Sequence, residues 1–304
     1  MSHRIFGIAR AAGLGALLLG LLGVTGPAAA QSGFTKTRYP IVLAEGLGGI
    51  DFFQVAEALR AGGATVFLTT VDPGNSSTVR GQELLDQIED VLAMTGASKV
   101  NLIGHSQGGL DARYILGTKP QVLASVTTVG TPHQGTPVAD VALGLQLVSP
   151  LFVNEITLAL ANLITEFTSG GQRAGNTEAA LVQLSSAGSA AYNRRFPAGL
   201  PTRRCGAGPA SANGVALYSW GGASVATNAA DISDGLLALT SLSFLGADND
   251  GLVGRCSNHF GTVLKDDFRM NHLDEINQLN GLVGRDDPVA QYRAQANRLL
   301  NQGL

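Results

Sequence analysis

Short apolar runs alternate with amphipathic stretches through much of the first half of this 304-residue chain. Residues 39–44, 65–69 and 99–103 are rich in aliphatic and β-branched side chains, which is typical of buried strands. Residues 52–61 and 79–94 instead place apolar side chains three or four positions apart, the spacing of a helix that covers a sheet. This alternation predicts an α/β fold with a mostly parallel central sheet and helices on both faces.

The N-terminal segment has the pattern of a leader peptide and not that of a folded element. Two arginines precede an apolar run at residues 11–24, and three alanines stand directly before Gln31. The run is shorter than the roughly 20 residues that span a bilayer, and small residues mark a cleavage site. We therefore predict that residues 1–30 are a secretory signal peptide and that the mature chain is secreted without a stable membrane anchor.

The strand–helix alternation stops at residues 138–167, which are rich in leucine and alanine. Charged and amide residues interrupt this segment, which argues against a transmembrane span. Apolar positions such as Ile156 and Leu160 repeat at helical spacing, so the segment forms either core helices or a cap over an apolar site. We expect a helical lid or cap insertion at about residues 138–170 within a single domain that spans residues 31–304.

Composition narrows the possible classes of function. Hydrophobic residues make up 45% of the chain and charged residues 14%, which provides a sizeable core and excludes disorder. The net charge of −3 and the absence of a basic run disfavour a nucleic-acid partner. Two cysteines are too few for a four-thiolate zinc site but sufficient for one disulfide. No P-loop or dinucleotide fingerprint indicates a nucleotide cofactor.

The strongest chemical signal is a G-x-S-x-G motif at residues 104–108, with Ser106 at its centre. The motif follows the predicted strand that ends at Ile103 and precedes a helical run at residues 110–116, which is the context it requires. The two glycines remove side chains that would clash across a sharp turn, and the helix N-terminus favours negative charge nearby. We predict that Ser106 is a catalytic nucleophile.

A serine hydroxyl needs a general base, and four histidines follow the predicted leader. His105 lies inside the motif and is excluded as the base. In this arrangement the acid and then the base follow the serine, and His133 comes too early for an acid to precede it. His259 and His272 therefore remain as candidates, and spacing favours His272.

The acid of such a triad belongs on a loop after a strand, upstream of the base. An apolar run at residues 242–245 leads into a loop that contains Asp248 and Asp250, and both are candidates. Acidic loops rich in glycine are also common as simple turns or cation loops. A carboxylate in the proper place would orient the imidazole of the base and stabilise its protonated form.

The motif also predicts an oxyanion hole made of two backbone N–H groups. One donor is expected from Gln107, the residue after the nucleophile, and the other from the loop at residues 45–47 after the first strand. Removing one such donor typically raises the barrier by roughly 3–4 kcal/mol.

Four blocks of sequence together resemble the secreted true lipases of the Pseudomonas and Burkholderia type. The blocks are residues 39–44, 100–109, 249–254 and 270–275. The resemblance extends from about residue 39 to the C-terminus, and the four blocks occur in the same order as in the family. It implies an α/β-hydrolase fold and hydrolysis of long-chain acylglycerols at an oil–water interface.

Matching the blocks one by one assigns roles to individual residues. The resemblance implies that Ser106 is the nucleophile, Asp250 the acid and His272 the base. It thereby selects Asp250 over Asp248 and His272 over His259, two choices that the residues alone leave open.

The resemblance also places the two oxyanion donors, at Leu47 and Gln107. The chain departs from the family in the loop that carries the first donor, because many relatives have histidine where this chain has Glu45. The stretch from residue 48 to 53 is also shorter than in the Pseudomonas relatives. These departures change the surroundings of the oxyanion loop but keep its backbone donor.

A further implication of the resemblance is one structural calcium ion near the catalytic histidine. Its ligands would be the side chains of Asp231, Asp274 and Gln278 and the backbone carbonyls of Gln278 and Leu282. A set of ligands made only of oxygen atoms suits Ca²⁺. Asp234 lies close to Asp231 in the sequence and is the alternative for that position.

The resemblance implies a single disulfide, Cys205–Cys256, in a chain that matures where disulfides persist. It also implies a dedicated membrane-anchored folding chaperone as a partner, and secretion in two steps through the periplasm. Other interpretations remain: a carboxylesterase for short soluble esters, an aliphatic polyester depolymerase, or a secreted binding protein that keeps the hydrolase fold without activity.

Overall fold

The computed structural model describes residues 33–144, 154, 158 and 176–304. The predicted signal peptide at residues 1–30 and the predicted lid beyond residue 144 lie outside the described residues, apart from residues 154 and 158. Within the described ranges, no helix has the length and apolar character needed to cross a membrane.

Seven strands form one sheet. In chain order they are β1 (Ile41–Ala44), β2 (Val66–Leu68), β3 (Val100–His105), β4 (Leu123–Val129), β5 (Ser211–Ala212), β6 (Val215–Gly222) and β7 (Thr262–Phe268). Their order across the sheet is β2-β1-β3-β4-β6, and both β5 and β7 pair with β6. Every pair is parallel except β5 with β6. The mostly parallel sheet predicted from the sequence is confirmed.

Helices connect the strands and cover the sheet. The α-helices of the described residues are α1 (Val55–Ala61), α2 (Ser77–Thr95), α3 (Gln107–Thr118), α4 (Pro137–Ala142), α5 (Thr177–Leu184), α6 (Ser186–Arg195), α7 (Ser233–Ser241) and α8 (Pro288–Asn301). The amphipathic stretch predicted at residues 79–94 corresponds to α2, which begins at Ser77 and ends at Thr95.

The first strand shows how the sheet separates two cores. Ile41 and Leu43 pack in the core that contains α1 and α8, whereas Val42 and Ala44 pack in the core that contains α2 and α3. Successive side chains of a strand point to opposite faces, so a strand that is apolar at every position is covered on both sides. This arrangement confirms the predicted helices on both faces of the sheet.

The last helix completes the core begun by the first strand. Tyr292 and Ala296 of α8 are fully buried in the same cluster as Ile41. On the same helix, the Gln295 side chain donates a hydrogen bond of 2.8 Å to Thr127 Oγ1 in β4. The C-terminal helix is therefore an integral part of the sheet's covering layer.

The run that leads to the candidate acids is not a strand. Residues 242–244 form a short 3₁₀ turn that continues α7, and the preceding strand of the sheet is β6. Hydroxyl groups stabilise this turn, because Ser243 donates to the Thr240 carbonyl at 2.7 Å and Thr240 donates to the Gly251 carbonyl at 2.7 Å. The apolar residues of the run are consistent with a strand or with a helical turn, and these hydrogen bonds favour the helical turn.

A disulfide joins Cys205 to Cys256, which are 51 residues apart in the sequence. It links the segment before β5 to the loop that follows the candidate acids. The pairing implied by the family resemblance is thus present in the structure.

We expect the double substitution Cys205→Ser, Cys256→Ser to lower the free energy of unfolding by about 4 kcal/mol, because the open chain regains the entropy of a loop of this length. Urea unfolding of the oxidised wild type and the double variant measures the difference. A reducing agent should shift the wild-type transition and leave that of the variant in place. Equal stability of the two oxidised proteins would contradict the prediction.

Candidate active site

Ser106 lies in the sharp turn between β3 and α3. Its backbone angles are φ 53° and ψ −126°, a conformation that costs energy for any residue other than glycine. Two hydrogen bonds hold it, since the Ser106 N–H donates to the Val129 carbonyl at 2.8 Å and the Gly109 N–H donates to the Ser106 carbonyl at 3.1 Å. A strained serine between a strand and a helix is the geometry that the motif predicts.

The glycines of the motif are required by close contacts. A Cβ atom added to Gly104 would lie 2.4 Å from the Gly108 carbonyl oxygen. One added to Gly108 would lie 2.4 Å from the carbonyl oxygen of Ala44 in β1. Any side chain at either position would force the turn apart, which is the steric reason expected from the sequence.

His272 and Asp250 form a buried pair. His272 Nδ1 lies 2.8 Å from Asp250 Oδ2, and the His272 N–H donates to the Asp250 carbonyl at 2.9 Å. The second carboxylate oxygen of Asp250 accepts from the N–H groups of Leu252 at 2.9 Å and Val253 at 2.7 Å. These contacts fix both side chains and leave His272 Nε2 as the ring nitrogen that can accept a proton.

Ser106 and His272 line the same cavity. Among the described residues, no hydrogen bond joins the Ser106 hydroxyl to the His272 ring. Such contacts are often long without a substrate and shorten when one binds. The structure thus brings the predicted nucleophile, base and acid to one place at the carboxyl edge of the sheet.

The alternative acid and base have other partners. The Asp248 side chain is 67% exposed and forms an ion pair of 3.3 Å with Arg255. His259 lies between Asp266, with Nε2 2.9 Å from its carboxylate, and the Gly206 carbonyl, 3.0 Å from Nδ1. Neither side chain lines the cavity that contains Ser106.

A second buried acid, Glu275, lies against the histidine pair. Its Oε2 is 3.3 Å from His105 Nε2 and 3.7 Å from His272 Nδ1, and its Oε1 accepts from the Gly222 N–H at 2.6 Å. Burial raises the pKa of Glu275 well above its usual range, and the charge of Asp250 adds to that effect. Sequence reasoning did not single out Glu275, although it ends one of the four family blocks.

His105, His272 and Glu275 also form a possible metal-binding group. Their ligand atoms lie within 4.8 Å of one another. His105 Nε2 is also 3.0 Å from the His272 carbonyl, so hydrogen bonds already account for much of this proximity. Burial lowers the pKa of His105 well below its usual range and therefore keeps its ring neutral.

The loop after β1 brings a backbone donor to the nucleophile. Leu47 lines the same cavity as Ser106, and Gln107 begins the helix that follows Ser106. Among the described residues, neither the Leu47 N–H nor the Gln107 N–H has a hydrogen-bond partner. Two free donors on either side of a serine are suited to hold a developing oxyanion.

A buried arginine fixes this loop. Arg80 Nη2 donates to the carbonyl oxygens of Glu45 at 2.7 Å and Gly46 at 3.1 Å, and its Nε donates to Asp111 at 2.8 Å. Burial raises the pKa of Asp111 to about 6, although Arg80 acts in the opposite direction. Sequence reasoning missed Arg80, because the carboxylate and the loop carbonyls that it contacts, at Asp111 and Glu45, are more than thirty residues away in the sequence.

The cavity above Ser106 has mostly apolar walls. Its apolar lining includes Ile50, Val138, Ala139, Leu181, Leu184 and Leu252. Val138 and Ala139 belong to α4, the start of the predicted cap. An apolar cavity with a few polar groups at its base is suited to a substrate with a hydrocarbon chain and one reactive polar bond.

A pair of buried carboxylates lies next to the His272 loop. Asp231 Oδ2 and Asp274 Oδ1 are buried and have no hydrogen-bond partner among the described residues. Burial, together with the nearby charges of Asp231 and Asp234, raises the pKa of Asp274 to about 6, although a hydrogen bond from the Asn271 N–H acts in the opposite direction. Asp234 differs from Asp231 because its carboxylate already accepts four hydrogen bonds, two of them from backbone N–H groups.

The other predicted calcium ligands lie on the segment that follows Asp274. Gln278 is partly buried and its side-chain N–H donates to the Asp51 carbonyl at 2.8 Å, which leaves its amide oxygen free to accept. Leu282 has a side chain that is 41% exposed, and only its carbonyl was predicted to take part. Two unpaired buried carboxylate oxygens are the arrangement that a hard divalent cation would satisfy.

Comparison with known proteins identifies the family. The alpha/beta hydrolase fold family matches residues 39–173. A triacylglycerol lipase of Vibrio cholerae is 44% identical over 93% of this chain and 94% of its own length. A triacylglycerol lipase of Burkholderia plantarii is 38% identical over 94% of this chain and 92% of its own length.

The chain belongs to the bacterial triacylglycerol lipase family.

This membership confirms the family resemblance, the α/β-hydrolase fold and an enzyme that acts as a serine ester hydrolase. The crystal structure of a Bacillus licheniformis lipase has the same fold, with a TM-score of 0.56 and 21% identity over 82% of this chain and 88% of its own.

Proposed function

We propose that this chain is a secreted triacylglycerol lipase that hydrolyses long-chain acylglycerols through an acyl-enzyme. The observation that carries the proposal is that His272, which is paired with Asp250 at 2.8 Å, lines the apolar cavity that Ser106 also lines. The names of the full-length relatives support the same substrate class. Carboxylesterase and polyester depolymerase activities use the same chemistry and differ in the substrate that the cavity accepts.

The first half of the reaction forms the acyl-enzyme. Ser106 Oγ attacks the ester carbonyl as His272 Nε2 accepts its proton, and Asp250 stabilises the imidazolium through Nδ1. The N–H groups of Leu47 and Gln107 donate to the oxyanion of the tetrahedral intermediate. The intermediate collapses when His272 gives its proton to the leaving alcohol oxygen.

The second half releases the fatty acid. His272 accepts a proton from a water molecule, which attacks the acyl carbonyl, and the same two N–H groups hold the second oxyanion. Collapse returns the proton to Ser106 and restores the free enzyme. The acyl chain remains against the apolar walls through both halves, so binding energy far from the ester keeps the carbonyl in place.

The test compares substrates across chain length and physical state. We expect hydrolysis of emulsified trioctanoylglycerol and trioleoylglycerol, with a rise in rate when the substrate exceeds its solubility. Activity only on dissolved short-chain esters would favour the carboxylesterase interpretation. Release of monomers from an aliphatic polyester film without hydrolysis of emulsions would favour the depolymerase, and failure of a fluorophosphonate to label folded protein would favour a binding protein.

We also propose one structural calcium ion. Asp231, Asp274 and Gln278 would hold it through side-chain oxygens, and Gln278 and Leu282 through backbone carbonyls. The unpaired buried oxygens of Asp231 and Asp274 support this assignment, and Asp231 is preferred because Asp234 is already fully hydrogen-bonded. Bound Ca²⁺ would supply positive charge to two buried carboxylates and brace the loop that carries His272.

Removal of calcium is expected to lower both the melting temperature and the activity. Without the cation the two carboxylates repel each other, and Asp274 stands only two residues from His272. Melting curves and initial rates measured with EGTA, and again after addition of excess Ca²⁺, test the effect. The variant Asp274→Asn should lose the calcium dependence, whereas identical curves with and without EGTA in the wild type would refute the site.

Secretion and assisted folding complete the proposal. The leader pattern supports cleavage before Gln31 and passage through the periplasm, and N-terminal sequencing of the secreted protein tests it. The resemblance of the four sequence blocks is the ground for including a membrane-anchored folding chaperone as a partner. Recovery of full activity from denatured protein without any partner would contradict that requirement.

A further inference from the structure

Glu45 is a buried acid at the start of the loop that carries Leu47. Its side chain is only 5% exposed, and its Oε1 accepts a hydrogen bond of 3.2 Å from the Val71 N–H. A Cβ atom added to Gly49 would lie 3.4 Å from the same oxygen, so the loop folds back over the carboxyl group. The side chain therefore lies between the loop at residues 46–49 and a second segment, 26 residues further along the chain.

That second segment, residues 71–73, contacts the loop at another point. The Gly48 N–H donates to the Pro73 carbonyl at 2.7 Å. The Arg80 guanidinium contacts both the second segment and the start of the loop, because it donates to the carbonyl of Asp72 and to that of Glu45. Residues 71–73 thus form the support on which the loop rests, and Glu45 provides the side-chain connection between them.

The chemistry of Glu45 favours a specific role over simple packing. Burial raises its pKa to about 7, and the charges of Asp51 and Asp111 add to the rise, while the Val71 N–H and Arg80 lower it. Burying a carboxyl group costs free energy that an apolar side chain of similar size would not. That cost is offset here because the carboxyl oxygen of Glu45 accepts a hydrogen bond from the Val71 N–H. An apolar side chain would leave this backbone donor without a partner.

We propose that Glu45 is a positioning residue whose carboxyl oxygen, by accepting from the Val71 N–H, holds the loop at residues 46–49 so that the Leu47 N–H points at the oxyanion. The inference rests on the proposed function of Leu47 as an oxyanion donor. Glu45 acts through the backbone and does not contact the substrate.

Two variants with side chains of nearly equal shape distinguish the effect of the hydrogen-bond acceptor from the effect of side-chain volume. Glu45→Gln keeps an oxygen that can accept from Val71, whereas Glu45→Met fills the same space without one. With p-nitrophenyl butyrate we expect Glu45→Met to lower kcat by about 10- to 100-fold with KM within about threefold, because a displaced donor affects mainly the transition state. Glu45→Gln should stay within about threefold of the wild type.

A phenylboronic acid gives a second measurement that does not depend on turnover. It forms a tetrahedral adduct on Ser106 whose oxygen occupies the oxyanion position, so its Kd should rise in Glu45→Met roughly in parallel with the loss of kcat. The control is Glu57→Met, which removes an exposed carboxylate on α1 and should leave both values unchanged. All rates are divided by the amount of Ser106 that a fluorophosphonate labels, so a partly unfolded preparation does not distort them.

The outcomes separate the two proposals. If Glu45→Met keeps kcat per labelled site within threefold of the wild type, or if Glu45→Gln falls as far as Glu45→Met, the positioning role is wrong. If the wild type itself is neither labelled nor active on any ester, the proposed function fails and the Glu45 variants are not the cause.

Discussion

Replacing Ser106 with alanine is expected to lower kcat for ester hydrolysis by about 10⁶-fold. The reason is that, within the part of the chain that the structure describes, Ser106 is the hydroxyl in the strained turn between β3 and α3, in the cavity that His272 also lines. The melting temperature should change by no more than about 2 °C, because the substitution removes one oxygen and leaves the backbone turn in place. Initial rates on a triacylglycerol emulsion and on a dissolved ester measure the loss.

The matched control is Ser241→Ala, which removes an exposed hydroxyl that only donates to the Ala238 carbonyl in α7. This variant should keep the activity of the wild type. A folded Ser106→Ala protein that retains more than about one thousandth of the wild-type rate would show that the nucleophile is elsewhere.

The substitution Asp250→Asn should lower kcat by about 10²- to 10⁴-fold. An amide in place of the carboxylate cannot stabilise the imidazolium, and its N–H group favours the wrong tautomer of His272. The loss should be closer to 10²-fold if Glu275, whose Oε2 lies 3.7 Å from His272 Nδ1, partly replaces the lost contact.

Asp248→Asn is the comparison for this prediction, because that carboxylate is exposed and paired with Arg255 outside the cavity. Its activity should equal that of the wild type. An Asp250→Asn enzyme with more than a tenth of the normal kcat, or an equal loss in both variants, would contradict the assignment of the acid.

Local patterns in the sequence were sufficient to predict the first three strands of the sheet and to propose the nucleophile, but they did not single out β4 or β6. The run at residues 39–44 is apolar at every position because β1 is covered on both faces, and periodicity reveals such a strand directly. The motif around Ser106 is local as well, because its glycines relieve clashes within the turn and against the neighbouring strand. Features that depend on short-range sterics can therefore be identified in the sequence.

Contacts between distant parts of the chain could not be predicted from local patterns. Arg80 connects the oxyanion loop to α3 across separations of more than thirty residues, and nothing near it in the sequence marks that role. The choice between Asp248 and Asp250 likewise depended on the family blocks, because two acids in one loop have the same local pattern. Only the folded structure shows that Asp250 contacts His272, whereas Asp248 is largely exposed to solvent.

The choice of Asp231 over Asp234 illustrates the same limit for the cation site. The two residues stand three positions apart, and the sequence offers no reason to prefer either. The structure distinguishes them by hydrogen bonding, since the Asp234 carboxylate is occupied by backbone and amide donors while Asp231 keeps a free oxygen. The hydrogen-bond donors that surround each carboxylate come from other parts of the chain, so only the three-dimensional structure reveals them.

The shared core of the first strand and the last helix has a consequence for synthesis on the ribosome. Ile41 and Leu43 are translated long before Tyr292 and Ala296, which lie in the same core cluster. The nascent chain must therefore carry exposed apolar side chains until α8 has been made, a state prone to aggregation. Slowing translation would prolong that exposure, so the yield of folded protein should fall when elongation is slowed and rise when the unfinished chain is protected from aggregation.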